Sequence, residues 1–456
     1  MGQEKVIVAV STPPGSGGIA VIRMSGKDVS EILSKAWTGK NPSRFESHTA
    51  HLGWIKDVDD TEIDQVVAVC FKAPNSYTGE DVIEISCHGS PWIQQAIVNR
   101  LIECGAKAAG AGEFTRRAFV NGRLDLVQAE GVADMISASS KAAARLAISQ
   151  LKGEFSSKLK TLRDRFVDIG SLLELELDFS EEDVEFADRK ELIALAKEIR
   201  GLVSRLSESF KAGRAFKGGI PVAIAGVPNA GKSTLLNVLV EEDKAIVSDI
   251  EGTTRDIIED TAEIGGLLFR FYDTAGLRKS ENAVESIGIE RARKKISEAS
   301  IVLKLYDPTK SFDVQNKSME LDVAPYTRVL NLVTKGDLNI PVTGDLKNMV
   351  EVGDAIVISS DTGFGIDTLK KKLVEMATAD FNPEQELVVT NARHYEALRN
   401  SMEPLDRLVN GLETGISGDF LAQDLRETEH YLGEITGAVT STDILHTIFA
   451  RYCIGK

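Results

Sequence analysis

The chain has few of the residues that staple small folds or tether proteins to membranes. Four cysteines are spread over 456 residues. Cys70, Cys87, Cys104 and Cys453 contain no C-x-x-C pair and no zinc-ligand spacing. That excludes a disulfide scaffold and a zinc module, and free thiols in a reducing cytoplasm are the expected state. Long apolar runs are also missing. No stretch reaches the roughly 20 residues that a spanning helix needs, and no secretory leader is legible. Two lipidation patterns fail in detail. Position 6 after Gly2 is Val6 rather than Ser or Thr. Cys453 stands fourth from the end, but Cys-Ile-Gly-Lys has Gly and Lys where prenylation needs an aliphatic residue and a permitted terminal residue. Excess positive charge is the last absence: 53 basic residues face 69 acidic ones, a net charge of −16. A polycation built to coat nucleic acid is excluded, and any RNA contact must come from a local basic patch.

The length suits roughly three domains of about 150 residues. A hydrophobic content of 43% is enough for large cores. Residues 1–118 alternate β-like runs with turns: Val6–Val10, Ile19–Ile22, Val66–Phe71 and Val82–Ile85. A helix is predicted from Pro91 towards Cys104. From 119 the texture changes. Leu151, Phe155, Leu159, Leu162, Phe166, Ile169 and Leu173 recur at threes and fours, as do Leu192, Leu195, Ile199, Val203, Leu206 and Phe210. That spacing predicts long amphipathic helices, with the acidic stretch Asp178–Glu185 as a loop between them. Gly213–Gly219 reads as a glycine-rich joint. Residues 218–377 alternate strand and helix. After Asn382-Pro383 the helical texture returns, with Leu405, Leu408 and Leu412 in register. No internal repeat or low-complexity tract stands out. The expected fold is therefore α/β multidomain. An α+β domain (1–118) precedes an all-α domain in two parts, 119–217 and 378–456, which pack as one body. An α/β domain (218–377) is inserted between those parts.

The inserted domain carries the strongest motif. Gly226-Val-Pro-Asn-Ala-Gly-Lys-Ser233 is a complete G-x-x-x-x-G-K-S loop. The apolar, partly β-branched run Ile220–Ala225 precedes it and the helical run Thr234–Val240 follows, which is the context this motif needs. Loop N–H groups and a helix N-terminus surround a phosphate. Asn229, Ala230, Gly231, Lys232, Ser233 and Thr234 are the expected contacts. Lys232 reaches the β- and γ-phosphates, and the Ser233 hydroxyl ligates Mg²⁺. Asp273, Thr274, Ala275 and Gly276 follow the apolar run Leu267–Tyr272. An Asp at a strand end can hold Mg²⁺ through water, and the Gly N–H can bond and so sense the γ-phosphate. Between these motifs lie Ser248, Asp249, Ile250, Glu251, Gly252, Thr253 and Thr254. They read as a first switch, with Thr254 the better candidate for a second Mg²⁺ ligand and Thr253 its rival.

Base choice falls to Thr334-Lys335-Gly-Asp337, after the strand-like Val329–Val333. The Asp337 carboxylate can accept from guanine N1–H and from the N2 amino group. Adenine offers neither donor and leaves a buried charge unpaired. GTP is thus the expected nucleotide. The usual GTPase pattern has Asn where this chain has Thr334, which weakens the case for contacts to the other edge of the base. Ser359, Ser360 and Asp361, after Ala355–Ile358, are expected to support the base from the other side. Ras-like enzymes place a water-orienting Gln where this chain has Leu277, and leucine cannot polarise water. Glu285 is the candidate to orient water through a bridge; its plainer reading is a solvated helix-face carboxylate. Asn229 has an amide oxygen to spare for a monovalent cation.

The phosphate loop, Thr253-Thr-Arg-Asp256 and Asp273-Thr-Ala-Gly-Leu-Arg278 together resemble an Era-like branch of the P-loop GTPases. The flanks narrow this. Thr12–Gly18, Ile22-Arg23-Met-Ser-Gly26, Tyr77-Thr-Gly-Glu-Asp81, His88-Gly89, Gly112–Ala118, Asn121–Glu130 and Cys453-Ile-Gly-Lys456 are similar to motifs of the tRNA modification GTPase family MnmE (TrmE). The resemblance runs from end to end. It implies a Ras-like G domain (218–377) and a homodimer formed through the N-terminal domain. That domain would bind 5-formyl- or 5,10-methylene-tetrahydrofolate at Arg23, Glu80, Arg123 and Lys456. Arg123 stands where some members have Lys, which keeps charge but not geometry. It further implies G domains that pair across their switches around K⁺, with Asn229, Ser248, Ile250 and Thr253 as its ligands and Glu285 as the catalytic glutamate. The implied partner is the FAD- and NADH-dependent flavoprotein MnmG (GidA), in a heterotetramer. The implied product is a carboxymethylaminomethyl or aminomethyl group on C5 of the wobble uridine, position 34, of tRNA in the cytoplasm. Without the family, Thr12–Gly18 reads equally as a tight hairpin, and Cys453 as an inert terminal thiol; the resemblance of the terminal motif makes Cys453 a candidate functional thiol, as a nucleophile or one-carbon carrier. Two other readings compete: a ribosome-assembly or RNA-binding switch without covalent RNA chemistry, and a membrane-remodelling GTPase. The acidic, helical C-terminal segment opposes the first, and the lack of a spanning or lipidated segment opposes the second.

Overall fold

The computed structural model describes all residues except 1–4, 179–188, 243–258, 274–296, 319–323, 339, 383–385, 440–444, 446–447, 450–451, 453–454 and 456. The chain forms two compact units. One comprises residues 1–133, 150–167 and 429–456, and the other residues 134–149 and 168–428.

The first unit is built on seven strands: β1 (Ile7–Val10), β2 (Ile19–Ser25), β3 (Trp37–Thr38), β4 (Thr49–Lys56), β5 (Glu62–Phe71), β6 (Val82–His88) and β7 (Lys107–Ala108). Their order is β3-β4-β5-β6-β2-β1-β7, antiparallel throughout except for the β1/β7 pair. The helix Pro91–Glu103 forms where predicted, with Pro at its first position. It buries Ile97, Val98 and Leu101 against Ile22, Met24, Ala68, Ile83 and Ile85 of the sheet. Strand β4 was not legible in the sequence. Gly53 interrupts its apolar pattern because the Trp37 ring lies across it; a Cβ there would come within 2.2 Å of the ring. The C-terminal segment belongs to this unit. Phe449 and Tyr452 bury against Leu126 and Ala129, and the Ser11 hydroxyl donates to the Gly455 carbonyl at 3.0 Å.

The second unit holds a six-stranded sheet of β8 (Ile220–Gly226), β9 (Glu259–Ile264), β10 (Leu267–Asp273), β11 (Ile301–Tyr306), β12 (Arg328–Val333) and β13 (Ala355–Val357). Their order is β13-β12-β11-β8-β10-β9; all neighbours are parallel except the β9/β10 hairpin at the edge. Both faces are covered, as parallel sheets require. Val222 and Ile224 join one core with Leu235, Leu239, Leu369 and Leu373. Ala223 and Ala225 point into a second core with Val302, Val333 and Leu346. The mostly parallel, helix-flanked sheet expected for residues 218–377 is therefore present.

The long helices follow most of their periodicity, but Leu151 ends a separate helix, Lys141–Leu151, before Gly153 turns the chain into Glu154–Asp178, and Phe210 starts Phe210–Gly218 instead of extending Arg189–Glu208. Leu192, Ile199, Val203 and Leu206 are buried on Arg189–Glu208, and Leu405, Leu408 and Leu412 on Ala392–Thr414. These two helices lie side by side, with Lys197 paired to Glu413 at 2.5 Å and Arg200 paired to Asp406. The predicted loop at Asp178–Glu185 lies outside the described residues beyond Asp178, where the Glu154–Asp178 helix ends. The glycine-rich joint Gly213–Gly219 is mostly helical: Phe210–Gly218 is a helix, and the break falls at Gly219, with φ 96°, directly before β8. Gly213 is needed for contact rather than bending. A Cβ there would sit 2.2 Å from the Val389 carbonyl oxygen, so glycine lets helix and backbone touch.

Candidate nucleotide site and the N-terminal polar cluster

In the second unit, the sequence motifs converge at the carboxyl edge of the parallel sheet. The phosphate loop leaves β8, Asp273 closes β10, Asp307 follows β11, Thr334 follows β12 and Ser359 follows β13. This is the edge where open α/β sheets bind ligands. Asn229 takes a left-handed conformation, φ 63°, and Gly231 takes φ 91°; together they turn loop N–H groups inward. Asn229 is exposed and its side chain has no partner among the described residues. Lys232 is buried, and its ammonium donates to the Gly226 and Val227 carbonyls at 2.8 and 3.2 Å. Ser233 and Thr234 are exposed in the first turn of the Lys232–Glu242 helix. This loop fits a phosphate chain, with Lys232 and the helix N-terminus supplying positive charge and Ser233 an oxygen for Mg²⁺.

The base loop is rigidly held. Asp337 lies in a short 3₁₀ turn, Gly336–Leu338, and is exposed. The Ser359 hydroxyl, buried, donates to Asp337 Oδ1 at 2.7 Å and fixes the carboxylate. Thr334 is buried, and its hydroxyl donates to the Tyr306 carbonyl at 3.2 Å. It therefore bonds the sheet, where the usual Asn would supply an amide. Ser360 and Asp361 form the turn beyond Ser359.

Two residues at this edge escaped sequence reading. Asp307 is fully buried and pairs with Lys335 Nζ at 2.7 Å. Burial pushes its carboxyl up, but the bonds from Lys335 and Thr309 outweigh that and hold it below the ordinary carboxylate value. Lys310 donates to the Pro228 carbonyl at 2.7 Å, linking the β11 end to the phosphate loop. The available signal was Asp307-Pro-Thr directly after an apolar strand. Ser248, Asp249, Ile250, Glu251, Gly252, Thr253, Thr254, Thr274, Ala275, Gly276, Leu277 and Glu285 lie outside the described residues, as do Cys453 and Lys456.

The first unit gathers the other predicted polar residues around the 77–81 turn. The Arg23 guanidinium pairs with Glu84 at 2.8 Å and lies 5.2 Å from the Tyr77 ring centre and 5.7 Å from that of Phe114. Glu80 accepts from the Ser25 hydroxyl at 2.7 Å and from Arg117 at 2.9 Å. Arg123 packs its chain over Gly79, where a Cβ would meet Arg123 Cγ at 3.1 Å. Arg117, 3% exposed, is the residue sequence reading missed. It sits inside the quoted Gly112–Ala118 motif, but its burial had no sequence signal. The remaining thiols offer no chemistry here: Cys70, Cys87 and Cys104 are buried, and burial pushes Cys87 up to about 11.

Comparison with known proteins agrees with this geometry. A family model described as "MnmE helical domain" matches residues 126–453, and one described as "GTP-binding protein TrmE N-terminus" matches residues 6–123. The tRNA modification GTPase MnmE of Cytophaga hutchinsonii is 45% identical over 455 residues, covering 99% of this chain and 97% of that protein. The protein of the same name from Parabacteroides distasonis is 46% identical over 460 residues, covering 99% of each. Among solved structures, the G domain of the T. maritima FeoB iron transporter covers 35% of this chain at 22% identity and a TM-score of 0.25, too slight a likeness to carry an argument. Both family models and the full-length relatives concur, and the chain belongs to the MnmE (TrmE) family of GTPases.

Proposed function

We propose that this chain hydrolyses GTP to drive modification of C5 of the wobble uridine of tRNA. The observation that carries the nucleotide half is Asp337, exposed at the sheet edge and steered by Ser359 at 2.7 Å. A carboxylate so fixed selects the N1–H and N2 donors of guanine. Lys232 stabilises charge on the β- and γ-phosphates. Ser233 and Thr254 would ligate Mg²⁺, with Asp273 holding it through water, and the ion would supply positive charge to the same oxygens. Asn229, Ser248, Ile250 and Thr253 would hold K⁺, which would supply the charge that an arginine finger gives elsewhere, and Glu285 would orient the attacking water in place of the Gln that Leu277 replaces. The RNA half rests on the family and on the N-terminal cluster. In our reading Arg23, Glu80, Arg123 and Lys456 hold a tetrahydrofolate carrying the one-carbon unit, and Arg117 keeps Glu80 in place. A flavin-dependent partner of the MnmG type supplies the redox step with FAD and NADH, and the working assembly is a homodimer joined to that partner. The domain boundaries we propose are 1–118, 119–217, 218–377 and 378–456. Mass spectrometry of wobble nucleosides in tRNA from a strain lacking this gene tests the proposal. Loss of the C5-aminomethyl nucleosides is expected, and an unchanged profile rejects the reading.

A further inference from the structure

The first unit contains a cavity of about 620 Å³ that none of the roles above uses. The turn at Lys152-Gly153, the start of the Glu154–Asp178 helix and the end of the Gly418–Thr436 helix form its walls. Lys152, Lys160 and Arg163 line it, all exposed, and none forms an ion pair among the described residues. Lys160 and Arg163 stand three apart on one helix face and repel each other, and Asp164, one turn from Lys160, offsets only part of the three positive charges around the opening. Two acids also line the cavity. Asp125 accepts from the Gln128 N–H at 2.8 Å as a helix cap, which leaves Asp164 as the acid without a capping bond. The frame is fixed. The Gln128 amide donates to the Leu151 carbonyl at 3.0 Å, and Gly153 turns the chain with φ 74°.

We propose that this cavity grips the phosphodiester backbone of RNA. Its volume suits a nucleotide-sized group. In a chain of net charge −16, contact with RNA must use a local basic patch, and three unpaired cations around one opening supply it. No aromatic residue lines the cavity, so bases are not stacked and the contact positions RNA without reading its sequence. The identity of that RNA as tRNA rests on the function proposed above.

The test uses the full chain carrying Lys152→Ala, Lys160→Ala and Arg163→Ala together. All three side chains are exposed, so the fold should stand. Fluorescence anisotropy with labelled tRNA is followed between about 50 and 200 mM salt. Affinity should fall about tenfold or more, and the slope of log K against log salt should become shallower by about 2 to 3. GTP turnover should not change. Lys347→Ala, Lys371→Ala and Lys372→Ala, exposed on two helices of the second unit, should leave tRNA binding as it is. Unchanged tRNA affinity and salt slope in the first variant overturn the proposal, including the case in which that variant instead loses binding to polyglutamate, which points to an acidic protein segment. The function is judged separately by the nucleoside profile. A deletion strain with normal wobble nucleosides, alongside a triple variant that still loses RNA affinity, rejects the modification reading and keeps the site.

Discussion

Asp307 illustrates how one buried charge can govern a binding loop. It is fully buried, its carboxylate accepts from Lys335 and Thr309, and Gln315 completes the shell around its backbone. Lys335 itself is held in a left-handed conformation, φ 60°, two residues before Asp337. Removing the carboxylate strands the ammonium and frees that backbone. Asp307→Asn should therefore destabilise the second unit by about 1 to 3 kcal/mol and weaken guanine nucleotides more than it alters catalysis of bound GTP. The pH dependence follows from the depressed carboxyl. A lowered folded-state pKa stabilises above the unfolded value of about 3.9, and the benefit is lost as pH falls through the folded value. The gap between wild type and variant should be full at neutral pH and shrink below about pH 4. The three tryptophans, Trp37, Trp54 and Trp92, all lie in the first unit and do not report on this one. Hydrogen exchange of peptides spanning 301–338 does, and a gap that is the same at pH 7 and pH 3 would falsify the linkage.

The Phe210–Gly218 helix shows what an element hides from its sequence. Three glycines, with Arg214 and Lys217 among them, make Gly213–Gly219 look like a joint. Tertiary contact overrides that propensity, since Gly213 lies against the Val389 carbonyl and Phe216 is buried in the core. Gly213→Ala makes a better helix former in isolation, yet it should lower stability by about 1 to 3 kcal/mol, because a Cβ 2.2 Å from a carbonyl oxygen forces the two segments apart. Gly218→Ala is the control, with open space around its Cβ, and should be neutral or stabilising. Calorimetry that finds Gly213→Ala as stable as Gly218→Ala would show that the contact is slack. The same contrast explains which features were legible. Helix periodicity, the phosphate loop and the strands before each motif depend on local patterns, and they are found where expected. Strand β4, the Asp307–Lys335 pair and the Arg117–Glu80 pair depend on partners 16 to 37 residues away, such as Trp37 against Gly53, and local spacing does not encode them.

At the scale of the whole molecule, charge makes cation dependence a sharp question. Each copy carries a net charge of −16, so two copies repel at low salt. Any monovalent salt relieves this, because screening depends on ionic strength alone and its range is about 10 Å at 0.1 M. A requirement for K⁺ is different, since it needs ligands of fixed spacing. Of the four ligands proposed above, Asn229 lies in the described residues: its left-handed backbone presents an exposed amide that bonds nothing else among them. Leu277 stands where Ras-like enzymes have the water-orienting Gln, and the function proposed above assigns that work to a bound cation and to Glu285. GTP turnover at matched ionic strength should accordingly be at least about tenfold faster in KCl than in NaCl, the scale expected when one transition-state charge contact is lost. Asn229→Ala should abolish that difference while leaving GTP affinity near wild type. Glu285→Ala should bind GTP and fail to hydrolyse it in either salt. Equal rates in the two salts mean that screening alone acts, and the proposed potassium site is then wrong.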